Sequence, residues 1–270
     1  MKNILLILFT GSILSVSAQL QPVLKNKRGI NILPERGDYC IGFGANPLLD
    51  YIGNMFNNSS NNNSPGASFA APNQMLFGKY MKSANIAYRA SFRFAIINNT
   101  SMVNVADMRP DAPVNSQVID EQKQRSTILG LAVGIEKRKG STRLQGFYGA
   151  DFTLGYNSGS NTKFEYGNKL EHLDTGIIRV TKIRASSMFT IGVRGFAGVE
   201  YFVAPRISVG GELGYGPSVY VRSAAESTTE RHDFSTAQTV EEKSALSPKA
   251  KGFTLDTDNY NGILKLLFYF

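Results

Sequence analysis

The segment YNGILKLLFYF, residues 260–270, ends the chain on a run of β-prone residues whose last member is aromatic. In a soluble domain an apolar strand with an open edge tends to pair with other chains and aggregate. In a transmembrane β-barrel such a strand pairs with the first strand, and lipid covers its outer face. The segment therefore predicts the closing strand of a barrel, with Phe268 and Phe270 as its C-terminal assembly signal.

The amino-terminal residues predict an export signal. Lys2 supplies a positive charge, an apolar stretch follows within residues 4–14, and the small residues VSA at 16–18 provide a cleavage site. The apolar stretch is too short for a spanning helix, which needs about 20 residues. We expect three parts: a signal peptide at 1–18, a periplasmic N-terminal lead at 19–37 and a transmembrane β-barrel at 38–270.

Eight segments of the chain alternate large apolar residues with polar or small residues, which is the pattern of half-buried strands. In the third segment Tyr88, Phe92 and Phe94 alternate with Arg89 and Arg93. The eight segments are 38–45, 74–81, 86–97, 126–137, 143–157, 187–202, 207–221 and 253–270.

Short and long connections between these segments alternate. The short ones are 82–85, 138–142 and 203–206, and the long ones are 46–73, 98–125, 158–186 and 222–252. Small outer-membrane barrels have short periplasmic turns and longer extracellular loops. The sequence therefore predicts an all-β fold, an eight-stranded antiparallel transmembrane β-barrel with four long extracellular loops.

One face of each segment is bulky and apolar, whereas the other combines glycine with charged residues. Eight strands leave an interior just wide enough for side chains, so the small and charged face fits the lumen. Glu136 is expected opposite Arg143 across the turn after the fourth segment. Paired charges would close the bore, and a gated, narrow ion path is the alternative. The predicted lumen charge network is Arg89, Arg93, Glu136, Arg143, Asp151, Arg194, Glu200, Glu212 and Lys265.

A short amphipathic helix is predicted after the first segment. Pro47 suits a first helical position, and apolar residues follow at helical spacing. Such a helix could lie in the headgroup layer or bind a partner protein, or it could fold over the mouth of the barrel. Its predicted interface residues are Pro47, Leu48, Leu49, Ile52, Met55 and Phe56.

Composition limits the chemistry that the chain can perform. There are 29 lysine and arginine residues against 21 acidic ones, a formal net charge of +8. Because of the export signal, we expect this charge to attract lipopolysaccharide or lipid headgroups and not nucleic acid. Cys40 is the only cysteine, so neither an intrachain disulfide nor a cysteine-based metal cluster is possible. We expect no metal and no cofactor.

The two histidines provide the only hint of an enzyme. His172 follows Glu171, and His232 lies between Glu230 and Asp233, all in predicted outer loops. Neither arrangement is a recognisable Ser–His–acid constellation, although such triads are defined by geometry and not by spacing. We therefore expect solvated loop histidines and a protein that is not an enzyme.

Four stretches resemble the outer-membrane β-barrel family common in Bacteroidota, which is related in architecture to OmpX-like and OmpA-like barrels. They are GANPLLDYIGNMFN at 44–57, FYGADFTLGY at 147–156, ISVGGELGYG at 207–216 and LDTDNYNGILKLLFYF at 255–270. The resemblance implies the outer membrane of a Gram-negative bacterium, biogenesis by the barrel-assembly machinery, and a structural or interaction role without catalytic residues. Two alternatives remain: an accessory barrel of a larger outer-membrane complex, for protein secretion or outer-membrane protein assembly, and a narrow, porin-like ion channel.

Overall fold

The computed structural model describes residues 24–44, 75–173, 176–236, 238–257 and 263–270, and it shows an all-β protein. The predicted signal peptide and the predicted helix at 47–56 lie outside the described residues. The strands are β1 Tyr39–Gly44, β2 Leu76–Ser83, β3 Ile86–Ala106, β4 Gln117–Lys139, β5 Leu144–Asn157, β6 Asn161–Glu165, β7 Ile178–Arg184, β8 Met188–Ala204, β9 Ile207–Arg222, β10 Ala225–Asp233, β11 Gln238–Ser247, β12 Ala250–Thr257 and β13 Ile263–Tyr269. A 3₁₀ helix covers Leu170–His172.

Eight strands form a closed antiparallel ring in the order β1–β2–β3–β4–β5–β8–β9–β13. The end of the chain closes it, because Tyr39 and Phe270 exchange two backbone hydrogen bonds of 2.9 Å. Each predicted segment corresponds to a ring strand. The last segment is divided into β12 and β13, which both pair with β9.

The predicted assignment of faces on the ring is confirmed by burial. Along β3 the Phe94 side chain points outward and is 58% exposed, whereas the neighbouring Arg93 points inward and is 8% exposed. Large apolar side chains cover the outer face of the other ring strands in the same way. Examples on six of them are Ile41, Leu131, Ile135, Phe152, Val193, Val199, Leu213, Tyr215, Val219 and Leu76.

The short-turn end of the ring is filled by apolar side chains. Ile32, Met81 and Phe202 are almost fully buried there, and they belong to one cluster with Leu267 and Tyr269. Ile32 comes from the segment before β1, which crosses this end of the ring. The carbonyl of Ile32 accepts a hydrogen bond of 3.1 Å from the backbone N–H of Arg206. The lead segment therefore contributes to the core.

Three of the four predicted long loops are wrong as loops, because each of them contains at least two strands or strand continuations. β3 and β4 continue beyond the ring as a hairpin, and β6, β7, β10 and β11 extend it sideways. We call the six-stranded sheet of residues 98–106, 117–125, β6, β7, β10 and β11 the extension sheet. Much of it is polar on both faces, so its sequence lacks the apolar alternation by which half-buried strands are recognised.

No helix among the described residues is long and apolar enough to cross a membrane.

Candidate functional site

Charged side chains meet inside the ring at mid-height, where inward-facing positions of seven strands converge. They come from different strands, and each occupies a buried or half-buried position between more exposed neighbours, which are apolar for most members and lysines for Arg138, so the pleat of the sheet directs them to the axis. We call this set the lumen cluster. Its members are Lys79, Arg89, Glu136, Arg138, Asp151, Arg194, Glu200, Glu212 and Lys265.

Glu200 organises the half of the cluster nearest the short turns. Its carboxylate contacts the Lys79 ammonium at 3.2 Å and the Arg138 guanidinium at 3.1 Å. The hydroxyls of Ser208 and Tyr269 donate to the same Glu200 oxygen at 2.6 and 2.7 Å. Glu200 is 0% exposed, so the hydrogen bonds from Lys79, Ser208 and Tyr269, together with the nearby Arg138 charge, replace the water that its own charge would otherwise need.

Glu136 links the two halves of the cluster. Its carboxylate lies 3.0 Å from Lys79 on one side and 3.4 Å from Arg89 on the other. Arg138, two residues further along β4, approaches the same carboxylate at 3.6 Å. Glu136 is also 0% exposed. Because three cations share this one carboxylate, the network is continuous across the bore.

Glu212 organises the half nearest the extension sheet. The guanidinium of Arg89 donates to both of its carboxylate oxygens at 2.8 and 2.9 Å. Arg194 and Lys265 contact the same carboxylate at 2.6 and 2.8 Å. Asp151 adds a second carboxylate, which accepts a hydrogen bond of 3.4 Å from Arg194 and lies 3.1 Å from Arg89 as an ion pair. The bidentate arrangement fixes the Arg89 side chain in one geometry.

Aromatic rings separate the charges inside the ring. The Arg89 guanidinium lies 3.8 Å from the centre of the Phe196 ring, and the Lys265 ammonium lies 4.2 Å from that of Phe77. Lys79 stands 5.0 Å from the centre of the Phe147 ring. Each cation thus gains a favourable contact with a ring face in addition to its carboxylate. These aromatic positions were not identified from the sequence.

The cluster contains five cations and four carboxylates, all inside the ring. Removing an ion from water costs several kcal/mol unless close partners compensate, so such charges persist only when paired. The arrangement therefore holds seven strands together through their inner face.

The structure brings together seven of the nine predicted network residues. Arg93 is buried on the same inner face, opposite Gly130 in the register with β4. The predicted pairing of Glu136 with Arg143 is wrong. Glu136 lies opposite Gly149, and Arg143 instead donates to the backbone carbonyls of Phe202 and Val203 at 2.9 and 3.3 Å.

Two members of the cluster were missed by sequence reasoning. Arg138 was assigned to a turn, but β4 continues to Lys139 and directs Arg138 into the bore. Lys79 lies between the inward-facing Phe77 and Met81 on β2, so the alternation in that strand was the available signal.

A cavity of about 260 Å³ adjoins the half of the cluster organised by Glu212. Its walls include Phe77, Arg89, Arg194 and Lys265 together with the small residues Ser91 and Gly130. The cavity is thus bounded by the charges already described.

The remaining candidate residues show no reactive arrangement. His172 lies 3.5 Å from Glu171, and the ring of His232 contacts Phe234 edge-on with centres 4.6 Å apart. Cys40 is buried in the apolar cluster. Within the part of the chain that the structure describes, no group of three or more His, Cys, Asp and Glu residues could hold a metal ion.

The two residues predicted as a C-terminal assembly signal lie at the seam between the last and first strands. Phe268 stacks on Phe43 of β1 with ring centres 6.1 Å apart, and Phe270 is exposed at the chain end. Both rings therefore belong to the outer surface of the seam.

No protein-family model matches the chain, and no curated protein matches it.

Proposed function

We propose that the chain is an eight-stranded transmembrane β-barrel of the outer membrane of a Gram-negative bacterium, a structural or interaction protein that is not an enzyme. One observation carries this proposal: a closed ring exposes large apolar side chains all round its outside and buries charges inside. In water, contiguous exposed apolar surface of this extent would drive association. In a bilayer the same surface is solvated by acyl chains, and closure of the ring satisfies every strand edge.

The dimensions of the apolar belt support this assignment. On β3 the outward large apolar residues extend from Tyr88 to Ile96, with Phe92 and Phe94 between them. Barrel strands cross a bilayer in about 9–11 tilted residues. The next two outward positions beyond Ile96 are polar, Asn98 and Thr100. The belt therefore has the height that one hydrocarbon core requires.

Membrane insertion is tested by folding and protease protection. The chain purified in denaturant should fold on dilution into phosphatidylcholine vesicles and migrate on cold gels as a compact band that shifts on boiling. Added protease should cleave the extension sheet and leave the ring intact. A protein that stays monodisperse and folded without detergent or lipid would contradict the proposal.

The filled bore implies a barrel that does not conduct. The lumen cluster occupies mid-height, and Ile32, Met81 and Phe202 occupy the short-turn end. We expect planar-bilayer recordings with the folded protein to show no discrete conductance. Discrete steps that change in Glu136→Ala would favour the ion-channel alternative instead.

One observation favours an accessory role in a larger complex. β11 lies at the outer edge of the extension sheet, pairs with β10 among the described residues, and is exposed along nearly its whole length. Open edges of this kind accept further strands from partner proteins. Cross-linking and mass spectrometry of native outer membranes should then place a second protein beside β11, whereas purification as a lone monomer after mild extraction would count against it.

A further inference from the structure

The outer face of the extension sheet carries basic residues in register on neighbouring strands. Lys123 on β4 lies opposite Lys163 on β6, and Lys163 lies opposite Lys182 on β7. Residues directly opposite each other in an antiparallel sheet share a face. Lys123 lies opposite Thr100 of β3, which has the same parity as the outward Phe94 and Ile96. We call Lys123, Lys163 and Lys182 the lysine row.

The lysine row borders a groove of about 330 Å³. Arg125 adds a fourth cation one row closer to the ring, where it lies opposite both Asn98 and Asn161. The groove walls thus combine cationic groups with amide side chains, all of which can donate hydrogen bonds to one bound group. Its lining includes Asn98, Lys123, Arg125, Asn161, Lys163 and Lys182.

The carboxylates of this face neutralise only part of the positive charge. Glu165 contacts Lys123 at 2.5 Å and Lys163 at 2.8 Å, and Glu121 contacts Lys123 at 2.8 Å. Hydrogen bonds from Lys123 and Lys163 lower the pKa of Glu165 to about 2, so its charge is present at neutral pH. Lys182 and Arg125 have no ion pair among the described residues.

Two carboxylates therefore balance four cations around one groove. Like charges placed directly opposite each other on neighbouring strands destabilise a sheet. Glu165 bridges Lys123 and Lys163, so the like-charged neighbours with no anion between them among the described residues are Lys163 and Lys182. A phosphate group fits, because it accepts several hydrogen bonds from lysine and arginine at once.

The groove lies immediately above the apolar belt. The Asn98–Arg125 row follows the Ile96–Thr127 row along the same strands, and the lysine row follows next. Successive outward rows are separated by about 7 Å along a strand. The polar headgroup layer on each side of a bilayer is roughly 5–8 Å thick. With the strands tilted, Arg125 falls within this layer and the flexible lysines reach down to it.

We propose that this groove binds a phosphate group of a lipid headgroup in the outer leaflet, an inference that rests on the proposed membrane insertion. Arg125 and the lysine row supply the cations, and Asn98 and Asn161 supply further donors. The site shares the outward face of the belt, so a lipid whose acyl chains lie against Phe94 and Ile96 presents its headgroup to the groove.

The test compares two variants that lose the same charge at opposite ends of the ring. Lys163→Gln/Lys182→Gln removes two groove cations, and Lys25→Gln/Lys27→Gln removes two exposed cations beside the short turns. Each protein is folded into phosphatidylcholine vesicles containing a minority of lipid A, a glucosamine lipid with two phosphates. After mild extraction, native mass spectrometry counts the bound lipid.

We expect the wild-type protein and the Lys25→Gln/Lys27→Gln control to retain lipid A, and the groove variant to bind it roughly thirtyfold more weakly, since each lysine near a membrane contributes about a factor of five. Equal retention by the groove variant, or equal loss in both variants, would overturn the inference.

A second arm distinguishes the lipid from a soluble anion. Wild-type protein in detergent is titrated with inorganic phosphate, and bound lipid A is then challenged with the same phosphate. Lipid A that resists displacement supports a headgroup site, whereas ready displacement assigns the groove to free phosphate and overturns the lipid source. Failure of the wild type to insert into pure phosphatidylcholine vesicles, seen as protease-sensitive ring strands, would instead overturn the proposed membrane function.

Discussion

The inside of the ring and the outer face of the extension sheet use the same charged residue types in opposite ways. Inside, Glu200 and Glu212 are each surrounded by cations and hydroxyls or by a bidentate arginine. On the extension sheet, three lysines stand opposite one another, and two carboxylates pair with Lys123 and Lys163 but not with Lys182. The comparison teaches that the contribution of a charge to stability depends on water: buried charges must be paired, whereas exposed ones can remain in excess and be available to a ligand.

The largest expected effect comes from removing a buried anion. Glu200→Gln leaves Glu136 as the one carboxylate that Lys79 and Arg138 contact among the described residues, although all three side chains are buried. Uncompensated buried charges typically cost about 3–5 kcal/mol. We expect the free energy of unfolding, measured by urea titration of the folded protein in vesicles, to fall by that amount.

The matched control for Glu200→Gln is Glu241→Gln on β11, where the side chain is exposed. Substitutions at such sites usually change stability by less than about 0.5 kcal/mol. Similar losses in both variants would remove the distinction between the two regions.

A smaller effect is expected where two strands approach closely inside the ring. A Cβ atom on Gly149 would collide with the Ile135 carbonyl oxygen and lie 2.6 Å from the Phe196 ring that covers Arg89. Overpacking of this kind costs about 1–3 kcal/mol. Gly149→Ala should therefore lower the urea midpoint measurably.

Gly211 provides the comparison, because a Cβ there would meet nothing within 4 Å. Gly211→Ala should leave the midpoint close to that of the wild type. If Gly149→Ala were equally neutral, the inner face would be less tightly packed than the distances indicate.

Removing a charge from the extension sheet should raise the free energy of unfolding, whereas Glu200→Gln and Gly149→Ala should lower it. Lys182 lies opposite Lys163 and has no ion pair among the described residues. In zwitterionic lipid, with no anion to bind, Lys182→Gln relieves a like-charge contact and should raise the free energy of unfolding by about 0.2–1 kcal/mol. A loss of stability in Lys182→Gln under these conditions would mean that the row is already balanced within the protein.

The smallest effect concerns the tip of the β3–β4 hairpin. Hydrogen bonds from the Arg109 side chain and backbone lower the pKa of Asp107 to about 2 from the ordinary 3.8. Because the folded value is the lower one, this stabilisation is fully present above pH 3.8 and is lost as the pH falls through about 2. NMR titration of the Asp107 carboxyl carbon should show the low midpoint, and Arg109→Gln should raise it toward 3.8.

The sequence allowed prediction of the ring more completely than of the extension sheet. Alternation such as Arg93–Phe94 predicts every ring strand and the inward face of most of them, because each strand has one largely apolar and one largely polar side; the inward face of β2, with Lys79, was not predicted. The extension strands have water on both faces over much of their length, and therefore no comparable contrast in the sequence. They were read as loops, although backbone pairing between strands such as β10 and β11 stabilises them.

The sequence predicts a network of charged residues inside the ring, but it does not predict which of them pair. Parity along the strands predicts most of the inward charges, but it wrongly assigns Arg143 to the cluster and Arg138 to a turn. The error came from placing the end of β4 two residues too early. A shift of one residue moves a side chain to the other face of the sheet, and a shift of two residues moves it by about 7 Å along the strand. The residues at which the strands end therefore decide which charges meet.

The sequence by itself determined the all-β class, the number of ring strands and the side of each strand that faces inward, because the alternation of side chains is a local property of the backbone. Only the tertiary structure decided which charges pair. Lys79 reaches Glu200 across 121 positions of the chain, and Arg89 reaches Glu212 across 123. Such contacts depend on the register of several strands at once, and that register is fixed only when the ring closes.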